Sequence, residues 1–374
     1  MAETQAGLTV FGFQVKVSNS CGFLTRADDC KLVRSTCWKV SARSRVYLMN
    51  RYDKLQNEDI KKKHHYLPVT YTKQWSDKDG KLLIQDKNKI KTYKSLPENI
   101  FFERNLNRLS LFKDKQKLFL QNLYQDFFQS NSKDFQQMKD FIERLYNTSK
   151  LIENCTEGEL SSFLPLEDRD KKELDKIKQV FIQNLIEDQL SNVESHYGEF
   201  IELLLSNNPF YKENFHFLIE FLAIQKFRSK SFLDEKNSFI KKLDKSLEED
   251  DVKNIVIVSS FIESELLVDK FRKNYLILQL IENTSEEYFI SSDSPVVSSQ
   301  EILLIQHRLL ENILECYMLP LSLKHIIIVG LKERTSDTGD ADFSYMKYSN
   351  IDFIKKINNL ISLNSGDKLI LPPR

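Results

Sequence analysis

Residues 81–94 read Lys81-Leu-Leu-Ile-Gln-Asp-Lys-Asn-Lys-Ile-Lys-Thr-Tyr-Lys94, and this stretch predicts a β-hairpin. Two short segments, Lys81–Asp86 and Lys89–Lys94, flank a turn at Lys87-Asn88. Apolar and β-branched residues in segments of this length, separated by two turn-forming residues, are typical of paired strands. The region of the chain in which hydrophobic periodicity predicts secondary structure therefore begins with β-strands.

The centre of the chain has a different pattern. Apolar residues recur there at i, i+3, i+4 and i+7, which is typical of amphipathic helices. Asp168 and Asp170 fall in an expected first turn, where the helix dipole favours acids, and Asn207-Asn208-Pro209 separates two helices. The helices predicted in this way are residues 113–129, 134–154, 168–206, 214–244 and 252–273.

The last third returns to strands and closes with a helix. We expect strands at 275–281, 288–290 and 325–330, and a helix at 350–363. Strands at both ends around a helical middle (about 113–273) predict an α+β fold, in which the N- and C-terminal strands share a sheet. We assign residues 60–374 to one such domain.

The first 59 residues differ in composition from the rest. They contain no Ile, and they hold Cys21, Cys30 and Cys37 of the five Cys. We interpret residues 1–59 as an N-terminal extension or small accessory segment. Met49 is a plausible native start just before the change in composition.

Overall composition excludes several classes of protein. Lys+Arg and Asp+Glu both number 54, which argues against a globally basic nucleic-acid coat and against an acidic tail. No apolar run reaches the ~18–20 residues of a membrane span. The lack of such a run predicts no contact with a membrane. The five Cys have no Cys-x-x-Cys spacing, which favours reduced thiols in a cytoplasm. Oligomeric state has no signal in the sequence.

Two adjacent histidines, His64 and His65, stand before Pro68. Neighbouring residues of a strand point to opposite faces, so only one imidazole faces a given site. That imidazole could ligate a metal or act as a general base. The alternative is a histidine that caps a sheet through backbone hydrogen bonds.

A second feature is Ser291-Ser-Asp-Ser-Pro295, directly after a predicted strand. Asp293 at a rigid strand end is well placed to hold a metal or to orient a histidine. The alternative is an Asx-turn, in which the carboxylate accepts backbone N–H groups and Pro295 fixes the bend.

Gln225 and Arg228 share one face of a predicted helix. A guanidinium beside an amide suits recognition of a phosphate or a carboxylate. The alternative is a pair that satisfies sheet backbone or the turn at Asp293.

Residues 51–94 carry 12 Lys/Arg against six Asp/Glu, with Tyr66, Tyr71, Trp75 and Tyr93 among them. A basic patch with interleaved aromatic residues could meet a nucleic-acid backbone. A solvated hairpin face explains the same pattern.

Taken together, these motifs resemble a bacterial family catalogued only as domain of unknown function 4238. The resemblance covers about residues 61–365. It departs from the family pattern at Val69 and Thr72, where members often have Arg and Leu. Because the family signature includes motifs at 64–68, 225–228 and 293–295, the resemblance implies that these three segments meet in space. The matching elements are His64-His65-Tyr66-Leu67-Pro68, Pro97-Glu98-Asn99, Glu103-Arg104, Phe221 to Arg228, Ser292-Asp293-Ser294-Pro295 and Pro320-Leu321-Ser322.

Two functional hypotheses follow from these residues. The first is a metal-dependent hydrolase of nucleic acid or phosphoesters, for example in defence against foreign nucleic acid. Its site has His65 as ligand or base, Asp293 as ligand or orienting group, Arg228 as phosphate anchor and Gln225 as positioning group. His64 or Glu103 would complete the shell of a divalent metal. The second hypothesis is a non-catalytic binding module, in which the His/Asp/Arg cluster is structural.

Overall fold

The computed structural model describes residues 63–133, 135–154, 186, 190–191, 193–206, 214–298, 313–335 and 341–373. The predicted segment 1–59, most of the predicted helix 168–206 and the break at Asn207–Pro209 lie outside these residues. The strands are β1 (Lys63–His65), β2 (Leu82–Asp86), β3 (Lys91–Ser95), β4 (Phe102–Arg104), β5 (Tyr275–Asn283), β6 (Ser291–Ser292), β7 (Val297–Ser298), β8 (Ile313–Pro320), β9 (His325–Lys332), β10 (Ala341–Tyr348) and β11 (Lys368–Leu371).

Helices account for most of the region between the N- and C-terminal strands. The helices are α1 (Val69–Thr72), α2 (Asp114–Leu123), α3 (Gln125–Gln129), α4 (Gln136–Asn154), α5 (193–205), α6 (Phe215–Arg228), α7 (Lys230–Leu243), α8 (Glu249–Lys273) and α9 (Ile351–Asn364). The α+β class predicted from the sequence is confirmed.

The N- and C-terminal strands share a sheet, as predicted. Its order is β3-β2-β11-β6, with every neighbour antiparallel. The hairpin β2–β3 therefore pairs with the last strand of the chain, where Leu371 lies opposite Leu83. Strand β6, which precedes Asp293, occupies the far edge of the same sheet.

A second sheet separates two apolar cores. Its order is β10-β5-β9-β8-β7, and only β10 and β5 run parallel. Side chains alternate across each strand. On β9, Ile327 and Val329 therefore join the core beneath the helices, whereas Ile326 and Ile328 join the core beneath α9.

Helix α8 runs through the centre of the helical layer. It packs against α2, α4, α6 and α7, and near its C-terminus against β5. Because its neighbours surround it, α8 is buried on nearly all sides, and its buried residues include apolar ones such as Val252, Val258 and Phe271 as well as polar ones such as Glu265. Helix α6 and strand β5 thus both lie against α8.

Local differences from the prediction have identifiable causes. The helix expected at 113–129 is broken at Tyr124, whose φ of −118° and ψ of 45° leave the helical region. The helix expected at 214–244 is broken at Ser229, whose side chain accepts the Phe232 N–H and caps α7. The turn of the hairpin takes four residues, 87–90, and Ile90 has a positive φ of 49°.

The strand expected at 288–290 is wrong. Side chains from other elements take the hydrogen bonds that a strand would make. Asn358 of α9 donates to Tyr288 O at 2.8 Å and accepts from Ile290 N at 3.1 Å. Trp75 Nε1 donates to Phe289 O at 3.3 Å. This segment is therefore held by α9 and by the residues after α1.

Candidate functional site

His64 and His65 point to opposite sides of β1, as the strand pattern predicts. His64 is fully buried, and its Nδ1 accepts the backbone N–H of Asn107 at 2.7 Å. His65 is half-buried, and its Nε2 donates to Glu98 O at 3.4 Å. Both imidazoles bond to backbone groups, as the capping interpretation expects.

Asp293 is buried and ties two distant segments together. Its Oδ1 accepts from Gly366 N at 2.9 Å, and its Oδ2 accepts from Asp367 N at 2.7 Å and Lys368 N at 3.0 Å. Burial raises the pKa of Asp293, and the three backbone bonds oppose that rise. The carboxylate accepts backbone N–H groups, as the alternative interpretation expects, but the donors are the two residues before β11 and its first residue and not a local Asx-turn.

Gly366 makes this arrangement possible. A Cβ built on Gly366 would lie 3.1 Å from Oδ2 of Asp293. Such a contact is tighter than ordinary van der Waals packing, so a side chain at this position would push the carboxylate away from its donors.

Arg228 joins α6 to β1 and α5. Its NH1 donates to Oε1 of Glu194 at 2.8 Å, and its NH2 donates to His65 O. Gln225 is also buried, one turn earlier, yet neither of its amide atoms has a hydrogen-bond partner in the part of the chain that the structure describes. Arg228 therefore satisfies strand backbone, and the structure gives no role to Gln225.

Glu103 lies across β1–β4 from His64 in the strand register. It forms an ion pair with Lys230 at 3.1 Å, and Lys230 also lies 3.9 Å from Asp367. Burial raises the pKa of Tyr66 well above its ordinary value, and the nearby carboxylate charges, including Glu103, raise it further. The segments at 64–68 and 225–228 meet through Arg228, and the charge of Asp293 is among those that raise the pKa of Tyr66.

We call this group the motif cluster, defined by His64, His65, Glu103, Arg228 and Asp293. Asp293 accepts hydrogen bonds from backbone N–H groups, and Arg228 donates to Glu194 and to a backbone carbonyl. Within the described ranges, no three His, Cys, Asp or Glu side chains are grouped so that they could hold a metal ion. Metal binding by His64, His65, Glu103 and Asp293 stays a prediction.

A cavity of about 240 Å³ lies between α6, α8 and β5. Most of its wall is apolar, and four polar side chains reach it. The apolar residues are Phe215, Ile219, Val268, Phe271 and Leu276, and the polar ones are His216, Glu220, Arg272 and Arg334. We call it the α6–α8 cavity.

Glu220 is the most strongly perturbed acid at this cavity. It is only 3% exposed, and its Oε1 has no hydrogen-bond partner among the described residues. Burial raises the pKa of Glu220 to about 8; the Arg272 guanidinium opposes this rise, and the carboxylate of Glu265 adds to it. Glu220 is therefore mostly protonated at neutral pH, unlike an ordinary surface glutamate.

The other charges near Glu220 are held in place by defined partners. Arg272 NH1 lies 3.6 Å from Oε1 of Glu265, which is 2% exposed. Arg334 is exposed at the rim of the cavity, and its NH2 donates to Asn274 O at 3.3 Å. The cavity thus has a mainly apolar wall, one neutral acid inside, the partly buried guanidinium of Arg272 beside it and the exposed guanidinium of Arg334 at its rim.

Comparison with known proteins identifies a family. A family model described as "Protein of unknown function (DUF4238)" matches residues 63–372. The chain belongs to the DUF4238 family. No curated protein and no solved structure matches it.

Sequence reasoning overlooked the cavity of this DUF4238 chain. Glu220 stands between Ile219 and Phe221, and a lone acid in an apolar helix is an available signal for a buried carboxyl. Glu265 and Arg272 lie a further 45 and 52 positions along the chain, and Arg334 follows β9. No local pattern links these residues to Glu220.

Two features of this DUF4238 protein bear on its expected partners. No helix among the described residues is long and apolar enough to cross a membrane. Part of the basic region is internally neutralised, because Lys94 pairs with Asp77 at 2.7 Å and Lys89 with Asp86 at 3.7 Å. Nucleic-acid binding through residues 51–94 stays a prediction.

Proposed function

We propose that this protein is a non-catalytic binding module that holds a small organic molecule in the α6–α8 cavity. One observation carries the proposal: the buried carboxyl of Glu220 lines an apolar cavity, and its Oε1 has no hydrogen-bond partner among the described residues. Ligand sites combine apolar walls with a few polar groups in this way. A buried polar atom without a partner costs free energy that a ligand can recover.

The size of the cavity supports the same proposal. An engineered cavity of about 150 Å³ binds benzene. The α6–α8 cavity is larger, at about 240 Å³. It therefore has room for a ring with a short substituent.

The motif cluster fits the structural role in this proposal. Asp293 fastens β11 to the turn after β6, and Arg228 fastens α6 to β1. These bonds connect segments that are far apart in sequence. Their removal would destabilise the fold, whereas the residues that line the cavity would stay the same.

The metal-dependent hydrolase has less support. Its carboxylate, Asp293, would have to give up backbone bonds of 2.7–3.0 Å to bind a metal. Its predicted phosphate anchor, Arg228, is engaged by Glu194 and by His65 O. Metal analysis of the purified protein tests this hypothesis directly.

Ligand-observed NMR tests the binding proposal. Wild-type protein is mixed with single-ring aromatic compounds that carry a negative, a neutral or a positive group. We expect saturation transfer to at least one compound, and its loss in Val268→Phe or Leu276→Phe, which fill the cavity. Val69→Phe, on α1 and outside the cavity, is the matched control and should bind normally.

The outcomes separate clearly. If no compound receives saturation from the wild-type protein, the proposal is wrong. It is also wrong if binding survives in both cavity-filling variants while their circular dichroism shows a normal fold. If one filling variant does not fold, the other decides.

A further inference from the structure

The charges around the α6–α8 cavity select among possible ligands. Glu265 and Arg272 of α8 act on the charge of Glu220, and Arg334, from the segment after β9, and His216, from α6, line the same cavity. With Glu220 protonated, the charge of Arg272 is balanced by Glu265, with which it pairs at 3.6 Å, and Arg334 adds a positive charge at the rim. One negative charge on a ligand would therefore be complementary.

The hydrogen-bonding groups agree with the charges. A protonated carboxyl is a donor as well as an acceptor, so Glu220 can donate its O–H to an anionic oxygen. Hydrogen bonds from a neutral acid to a carboxylate are short and strong, and a guanidinium matches the two oxygens of a carboxylate. Arg334 lies at the rim, where it can meet an anionic group entering from solvent.

We infer that the ligand of the α6–α8 cavity is a small carboxylate with an apolar ring or chain, whose carboxylate accepts the O–H of Glu220. This inference rests on the proposed binding function and goes beyond it by naming the chemical class. The apolar part of the ligand lies against Phe215, Ile219 and Phe271. The carboxylate faces Glu220 and the guanidinium groups.

A ligand with a cationic group would need the opposite protonation state of Glu220. It would require the carboxyl to ionise in a buried place beside Glu265, whose negative charge opposes that ionisation. The two ligand classes therefore predict opposite effects of pH. A carboxylate binds together with a proton and weakens at high pH, whereas a cation strengthens.

Calorimetry with three probes tests the inference on the whole protein. The probes are 3-phenylpropionate, 3-phenylpropan-1-ol and 3-phenylpropylamine, which share a ring and a chain and differ in charge. We expect the carboxylate to bind most tightly. Because it needs protonated Glu220, whose pKa is about 8, its affinity should fall about tenfold from pH 6 to pH 9.

Glu220→Gln is the decisive variant. Glutamine keeps a donor at this position and cannot ionise, so we expect 3-phenylpropionate to bind it equally well at pH 6 and pH 9. Glu263→Gln, on α8 with its carboxylate bonded to Tyr124 and Lys236, is the matched control and should keep the tenfold pH effect.

Each other result overturns the inference in a distinct way. Tighter binding of the amine or the alcohol means that the ligand class is wrong while the cavity still binds. A pH effect that persists in Glu220→Gln means that another group, such as His216, is responsible. Binding of none of the three probes contradicts the proposed function itself.

Discussion

Replacement of Glu220 by glutamine should stabilise the protein, and increasingly so as the pH rises. Folded protein keeps the Glu220 proton up to about pH 8, whereas the unfolded chain releases it near 4.5, the ordinary value. Between these two pH values the unfolded state is stabilised by the ionisation of Glu220, whereas the folded state keeps the proton. The stability of wild type therefore falls across this window because of Glu220, and above the window the full loss remains without further change with pH.

The size of the effect follows from the two pKa values. Each pKa unit corresponds to about 1.4 kcal/mol, so the full window from 4.5 to about 8 corresponds to about 5 kcal/mol. At pH 7, Glu220 lowers the free energy of unfolding of wild type by about 3 kcal/mol. Glutamine has nearly the shape of protonated glutamate, so the variant and wild type should differ little at pH 4.5. At pH 8 the variant should be the more stable by several kcal/mol.

Thermal unfolding at a series of pH values measures this difference. The quantity to follow is Tm of Glu220→Gln minus Tm of wild type, from pH 4.5 to pH 9. We expect it to start near zero, to rise through the window and to level off above pH 8. In Glu263→Gln the same difference should show no such rise. A Tm difference for Glu220→Gln that is flat or falls with pH would refute the assignment of a buried, protonated carboxyl.

The remaining predictions concern the motif cluster. Asp293→Asn should lower the free energy of unfolding by about 2 kcal/mol, because an amide nitrogen replaces one oxygen that accepts a backbone N–H; urea unfolding measures this, and an unchanged midpoint would contradict the structural role. Gly366→Ala should cost about 1 kcal/mol, because its Cβ would lie 3.1 Å from Asp293 Oδ2; Gly198→Ala, where a Cβ meets nothing within 4 Å, is the control. Purified wild type, His65→Ala and Asp293→Ala should not differ in stoichiometric metal content. A stoichiometric metal present in wild type and lost in both variants would support the hydrolase hypothesis.

Much of the fold follows from local pattern. The apolar run in β9 and the hairpin β2–β3 are visible in the sequence, because a strand buried on both faces and a strand pair with a polar turn have distinct signatures. The edge strand β10 gave no such signal, since its exposed and half-buried residues alternate without a clear apolar face. Breaks within helices, as at Tyr124 and Ser229, depend on tertiary contacts or a single capping bond.

The candidate site was less accessible to sequence reasoning. The motif residues were found, because His-His-Tyr and Ser-Asp-x-Pro are compact patterns. Their roles were not decided, because the donors to Asp293 come from residues 366–368, which no local pattern connects to it. The α6–α8 cavity requires residues from two helices, one strand and one loop to be brought together, and only the folded structure does so.

The most direct test of the central claim is the titration of the Glu220 carboxyl with and without ligand. Protein labelled with 13C at glutamate side chains is followed by NMR, and the Glu220 signal is assigned by its absence in Glu220→Gln. We predict an apparent pKa near 8 in the free protein and a higher pKa in saturating 3-phenylpropionate. A carboxyl that titrates near 4.5, or whose pKa is unchanged or lowered by the ligand, would contradict the claim that Glu220 binds a carboxylate in this cavity.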